Sequence, residues 1–286
     1  MTDFFTHYLE NIDKQWDYYE LCGNPQVTID MIREFPGVYH YSLSENINLT
    51  WEYIQGKKNK IVWSWNRISA NPCITWDIIQ NNPYEMWDYN GISENPNITW
   101  ENIQSSPYKP WNTSLLSKHS CVTWDIIQST QLKYYWNPDG VTQNPNITRD
   151  IVFNNLHYSW NYIQLSKNPN ICLDDLILLQ NRGITTLENK ICMFYMSCNP
   201  NVTWEIINKY PLLQWDPYNV SLNSNITWDI ILDNPQYPWD RDGISLNPNI
   251  SWDIIQQNPN GPENKKDVYN NSFWNYKLLS RNKMIK

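Results

Sequence analysis

Ten carboxylates stand at a nearly fixed step along this chain: Asp30, Glu52, Asp77, Glu101, Asp125, Asp150, Asp174, Glu205, Asp229 and Asp253. Each lies two residues after a Thr, Cys or Ser in one recurring phrase, whose commonest form is Asn-Pro-Asn-Ile-Thr-Trp-Asp-Ile-Ile-Gln. An acidic residue in the first turn of a helix supports the helix start, because the free amide groups there favour an anion by about 0.3–1 kcal/mol. Repeated once per layer, the same residue forms an acidic ladder able to hold a basic or extended peptide. The two roles are compatible, so Asp77, Glu101, Asp125, Asp150, Asp229 and Asp253 are candidate partner-binding residues. Arg149 joins them because it replaces Trp in its copy of the phrase. Its guanidinium could stack on neighbouring Trp rings, or mark a bend with an exposed face.

Catalysis would need residues that break the repeat, since a catalytic group has no reason to recur ten times. The sequence offers no H-E-x-x-H, no glycine-rich phosphate loop and no nucleophile elbow. None of its four histidines, His7, His40, His119 and His157, has a ligand companion at i+3 or i+4. The six cysteines are scattered singly and read as small fillers in a reducing compartment. No catalytic, cofactor-binding or metal-binding residue is therefore expected, and no cofactor. The net charge of -8 is uneven: residues 261–286 hold six Lys or Arg against Glu263 and Asp267, leaving an acidic body unsuited to a phosphate backbone. No basic-then-apolar leader and no apolar run of about 18 residues is present, so a soluble, non-secreted chain without a membrane partner is expected. The many N-x-[ST] triplets, Asn97-Ile98-Thr99 among them, are then by-products of the repeat.

The elements that must position these residues follow from the same phrase. Its Thr position falls at Thr28, Thr50, Thr75, Thr99, Thr123, Thr148, Cys172, Thr203, Thr227 and Ser251, in steps of 22, 25, 24, 24, 25, 24, 31, 24 and 24 residues. Such a period marks an array in which each unit packs on its neighbours. Two short helices are written in every unit. The first has Thr as N-cap and a hydrophobic staple five residues apart, as in Ile74 with Ile79, and is stopped by a proline such as Pro83. The second repeats the grammar with Trp87 before the cap Asp88 and Ile92 as partner. Pro138 and Pro217 take the first helical position in their units, and Gly91, Gly140 and Gly243 suggest close backbone approach or a tight 3-10 turn. Neither helix can stand alone, so neighbours must bury the Ile and Trp anchors in a continuous seam. The phrase Trp residues are expected between layers. The position after the carboxylate, Met31, Tyr53, Ile78, Asn102, Ile126 and Asp175, varies freely and is expected to face solvent or a partner.

Residues 1–23 read as an amino-terminal capping half-repeat, 24–259 as the array, and 260–286 as an insertion loop with a carboxy-terminal capping half-repeat and basic tail. The unit opening at Cys172 is long, and a loop at 181–190 is expected to bulge there; with 260–271 it is a second candidate binding insertion. The phrase Asn95-Pro-Asn-Ile-Thr-Trp-Glu-Asn-Ile103, alternating with Trp87-Asp-Tyr-Asn-Gly-Ile-Ser93, resembles tandem-repeat proteins of mimivirus-type giant DNA viruses. The 40 asparagines fit the AT-rich coding of such genomes. Unit length and the Asn-Pro-x-x-Thr opening are also similar to the leucine-rich repeat variant, a 24-residue unit of alternating α and 3-10 helices. Together these imply an all-α, right-handed α-solenoid of about ten 24-residue two-helix repeats. The expected function is that of a non-enzymatic, monomeric scaffold in host cytoplasm or virion. It binds another protein, host or viral, along a concave or acidic groove lined by turn asparagines, with a structural role in a virion or viral assembly as the alternative.

Overall fold

A computed structural model describes residues 4–35, 40–58, 60–130, 134–182, 191–262 and 273–283. Every regular element among the described residues is a short helix, and helices recur in pairs along the sequence. The chain divides into two compact units, Tyr39–Lys190 and a second made of Met1–Val38 with Ile191–Lys286.

The phrase starts a helix where its chemistry requires one. In Trp76–Asn81 the cap Thr75 accepts the Ile78 N–H, and the same bond is made by Thr50, Thr99, Thr148, Thr227 and Ser251 in their helices. At Thr99 the Asn102 side chain also reaches back to the cap amide, completing a capping box. The staple residues Ile74, Ile98, Val122, Ile147 and Ile250 are all buried, as are their partners. One copy differs: Met31–Glu34 is a 3-10 helix without a side-chain cap bond at Asp30. The second helices are α rather than 3-10, four to six residues long, and are capped as expected by Asp88, Asn112, Asn137, Asn161, Asp216, Asp240 and Asn275. Residues 4–23 carry a full helix pair, Phe4–Glu10 and Tyr18–Gly23, beyond the second-half pattern legible in the sequence.

What joins one unit to the next is mostly polar. The first Asn of the phrase, followed by Pro in every case named here but Asn223, is buried, at 0 to 2% exposure for Asn71, Asn95, Asn144, Asn168, Asn223 and Asn247. Asn95 Nδ2 donates to the carbonyls of Ser69 (2.8 Å), Asn71 (3.1 Å) and Ile74 (3.0 Å) in the preceding unit, while Oδ1 accepts the Asn97 N–H. A second asparagine, Asn97, donates to Pro72 and Ile74 carbonyls. Next to this ladder runs a hydroxyl ladder, in which the cap amide of Asp88 donates to Ser69 Oγ at 3.0 Å, Asn112 to Ser93 and Asp240 to Ser221. His119 takes the Asn place in one unit. The Cys121 amide can only donate, so Nδ1 at 3.1 Å accepts and Nε2 carries the hydrogen toward Asn95 O at 3.0 Å. The turn asparagines therefore do not line an open groove as expected: the first is inside the stack, and the second spends its amide on the previous unit.

The apolar part of the joint is a Trp pair. Trp51 stacks on Trp87 at 5.6 Å and Trp76 on Trp111 at 5.7 Å, while Trp124 meets Trp160 at 5.4 Å and Trp204 meets Trp239 at 5.3 Å in a tilted arrangement, each pairing a phrase Trp with the second-half Trp of the next unit. The phrase residues Trp51, Trp76, Trp100, Trp124 and Trp204 are half-buried, while Trp228 and Trp252 are buried. Second helices approach until backbones touch, because a Cβ added at Gly91 would sit 2.2 Å from Asn66 O, and one at Gly243 would sit 2.5 Å from Tyr218 O.

Two comparisons test these joints. Asn95→Ala removes the amide that the Ser69, Asn71 and Ile74 carbonyls share, of which the Ile74 carbonyl keeps the Asn97 amide and the Asn71 carbonyl keeps the Ile74 N–H. It is expected to cost about 1–3 kcal/mol in urea unfolding, whereas His119→Asn, which restores the common residue, changes stability by less than about 1 kcal/mol. Gly91→Ala drives a methyl into backbone and lowers stability by about 1–3 kcal/mol or more. By contrast, Gly56, with nothing within 4 Å of an added Cβ, gains roughly 0.5–1 kcal/mol as Ala.

Candidate functional site

The acidic row is an outer face of the first helices. Glu52, Asp77, Glu101, Asp125 and Asp150 are exposed in the Tyr39–Lys190 unit, and Glu205 and Asp229 in the other, where Asp253 is half-buried. Each carboxylate sits one position past the first residue of its helix, where the cap geometry holds it. The Glu101 amide and the Thr99 hydroxyl bond its carboxylate and hold it below the usual carboxylate range. For Glu205 the Thr203 hydroxyl leads and its own amide follows, with the same direction. Both groups therefore keep their charge to lower pH than an ordinary glutamate. Support of the helix start and exposure to solvent coexist in the same residue.

Three residues further, one turn along the same face, stands an exposed glutamine that the sequence reading passed over. The pairs are Glu52 with Gln55, Asp77 with Gln80, Glu101 with Gln104 and Asp125 with Gln128, in four successive units. The signal was available, since Gln closes the commonest phrase. A carboxylate and a primary amide per layer can pair with a cation and with a peptide backbone group respectively. The freely varying residues between them, Tyr53, Ile78, Asn102 and Ile126, are half-buried, and Asp175 is buried. They therefore offer less surface than expected.

Arg149 ends the run. Its Nε donates to Asp175 Oδ1 at 2.6 Å, its Nη1 lies 3.6 Å from Asp150 Oδ1, and its guanidinium sits 4.5 Å from the centre of the Phe153 ring. The stacking is thus on Phe153, one turn along its own helix. Asp175 Oδ2 in turn accepts the Cys172 amide at 3.1 Å, closing the start of Leu173–Asn181. Arg149 and Asp150 are brought together with Asp175, whereas the other candidate residues remain one per unit. Arg149 is committed to a buried carboxylate and neutralises the ladder locally.

Elsewhere the polar groups are quiet. Burial pushes the Cys73 and Cys121 thiols up to about 11, which leaves little thiolate at neutral pH. Among the described residues no three His, Cys, Asp or Glu side chains converge as a metal site, and no helix is long and apolar enough to cross a membrane. Of the two candidate insertions, only Asn181, Arg182 and residues 260–262 are described; the rest lies outside the described residues, as do Lys265, Lys266 and Lys286.

If Arg149 serves Asp175, Arg149→Ala lowers the urea midpoint in the native background but has little effect once Asp175→Ile has removed the buried carboxylate. A double-mutant cycle by Trp fluorescence reads this coupling. Comparisons with protein-family models, curated proteins and solved structures give no match to this chain.

Proposed function

We propose that the Tyr39–Lys190 unit is a non-enzymatic scaffold that binds another protein through an extended segment bearing Lys or Arg, laid along Glu52, Asp77, Glu101 and Asp125. The observation that carries this reading is the exposed acid and glutamine pair recurring in four successive units. Spacing then sets the partner's pattern. Packed helices lie about 8–10 Å apart, and a segment in the extended polyproline II form rises about 3.1 Å per residue with three residues per turn, so every third side chain points to the same side and meets one carboxylate. A segment of about ten residues with a basic side chain at every third position matches the four carboxylates. The glutamines supply a donor and an acceptor for its backbone, the part of a peptide that does not depend on sequence. Arg149 limits the ladder on its far side, because a cationic segment meets a cation there.

The reading is tested by fluorescence anisotropy with a labelled peptide carrying Lys at every third position, against a peptide of equal composition with its Lys residues clustered. The spaced peptide is expected to bind more tightly. Asp77→Lys/Glu101→Lys/Asp125→Lys should weaken it about tenfold or more at low salt, with helix content unchanged, and added salt should weaken the native complex. Equal affinity of the triple variant with a preserved fold overturns the acidic-face reading.

A further inference from the structure

The two ends of the chain are joined to each other by the bonds that join consecutive units. At an interior joint Asp88 N–H donates to Ser69 Oγ, Asn95 Nδ2 to the Ser69 and Asn71 carbonyls, and Asn97 Nδ2 to the Pro72 carbonyl. At the ends Asp17 N–H donates to Ser280 Oγ (2.9 Å), Asn24 Nδ2 to the Ser280 (2.9 Å) and Asn282 (3.1 Å) carbonyls, and Gln26 Nε2 to the Lys283 carbonyl (2.9 Å). The correspondence is residue for residue, with Gln26 in the place of the second Asn. The same two aromatic positions also meet, here edge to face, since Trp16 lies against Trp252, the phrase Trp of the last unit, at 6.0 Å. Further side-chain contacts cross the joint: Arg281 Nη2 to Glu20 Oε1 at 2.7 Å, at the two positions that Glu45 and Arg67 pair at an interior joint, Gln256 Nε2 to Glu10 Oε2 at 2.8 Å and Tyr276 Oη to Asn11 Oδ1 at 3.3 Å. The amino-terminal helix pair is thus the successor of the carboxy-terminal one, and each buries what would otherwise be the other's open face.

A face of this kind is heterologous: it fits the opposite end of the chain and not itself. We propose that the terminal joint is an interaction surface whose second partner is another copy of this chain, the amino-terminal helix pair of one molecule seating on the carboxy-terminal pair of the next. The contacts are identical in the closed and exchanged arrangements, so their enthalpy does not choose between them. Effective concentration does, and for an intramolecular joint it is of millimolar order. Chains that fold in dilute solution close on themselves. Chains that fold together at high concentration are captured as exchanged multiples, which dilution releases only when the joint opens.

The Glu20–Arg281 pair makes this testable, because it crosses the joint and its charges can be exchanged. Glu20→Arg and Arg281→Glu each place like charges across the closed joint. In a mixture of the two, the exchanged arrangement has opposite charges at both joints. Co-refolding the differently tagged single variants from urea at about 0.1 mM, a tenth of the millimolar effective concentration, is expected to give a hetero-pair of twice the chain mass. Light scattering and tandem affinity capture should find it in several-fold higher yield than the pairs formed by either variant alone. The double variant Glu20→Arg/Arg281→Glu, with its charges matched again inside one chain, refolds as a monomer when dilute and shows that neither substitution prevents folding. The inference is overturned if the co-refolded mixture behaves as the sum of its separately refolded components, or if the double variant pairs as readily as the mixture.

Discussion

A helix of six residues leaves most of its terminal amides and carbonyls without partners inside the helix, and this chain is built almost entirely of such helices. The N-terminal amides are answered locally, by Thr, Asp and Asn caps. The carbonyls at the C-terminal end are answered from outside, by the buried side-chain amide of the next unit. Asn95 shows the arrangement: its nitrogen takes the carbonyls of Ser69, Asn71 and Ile74, and its oxygen takes an amide of its own turn. One side chain thus shapes the turn it belongs to and closes the helix end of the unit before it. That dual role makes the short helices stable only in series, and it explains why a His that offers one donor and one acceptor at similar positions can stand in for Asn at residue 119.

Most of the fold could be read from the phrase, because caps, staples and proline stops are local physics repeated ten times. The two helices per unit, the capping residues, the buried anchors and the close approach at Gly91 and Gly243 all lie at that level. What was not legible is what one unit does to another. Asn before Pro has a sufficient local explanation as a turn former, so nothing in a single copy reveals that its amide points into the preceding copy. The same holds for Ser69, an unremarked residue near a helix end whose hydroxyl receives the next cap amide. Arg149 was recognised as anomalous, but its partner Asp175 lies 26 residues away in a row judged free to vary. The stacking of the terminal units depends on residues separated by more than 250 positions, beyond any local pattern.

For the candidate site the same division applies. The inward residues are consumed by the joints, with Asn, Ser, Trp and Ile each holding a place that cannot be given up without loss of stacking. Outward faces retain only what the helix start tolerates, which is the carboxylate and the glutamine a turn later. Recognition by such a surface is periodic by construction. On the proposed reading it grades partners by spacing and charge rather than by the shape of a single pocket, and the cluster in which Arg149 meets Asp150 and Asp175 sets an end to the register.

The Trp pairs carry a further consequence. Each brings together two indoles from consecutive units at 5.3 to 5.7 Å, as in Trp51 with Trp87 and Trp204 with Trp239. Indoles held at that distance share their electronic transitions, and the sharing lasts only while the two units remain stacked. The protein therefore carries an optical marker in these joints, intrinsic to the chain and independent of helix content. Circular dichroism in the indole bands reports whether layers are in contact even where each helix pair persists, so local separation of the array is spectroscopically distinct from loss of its secondary structure.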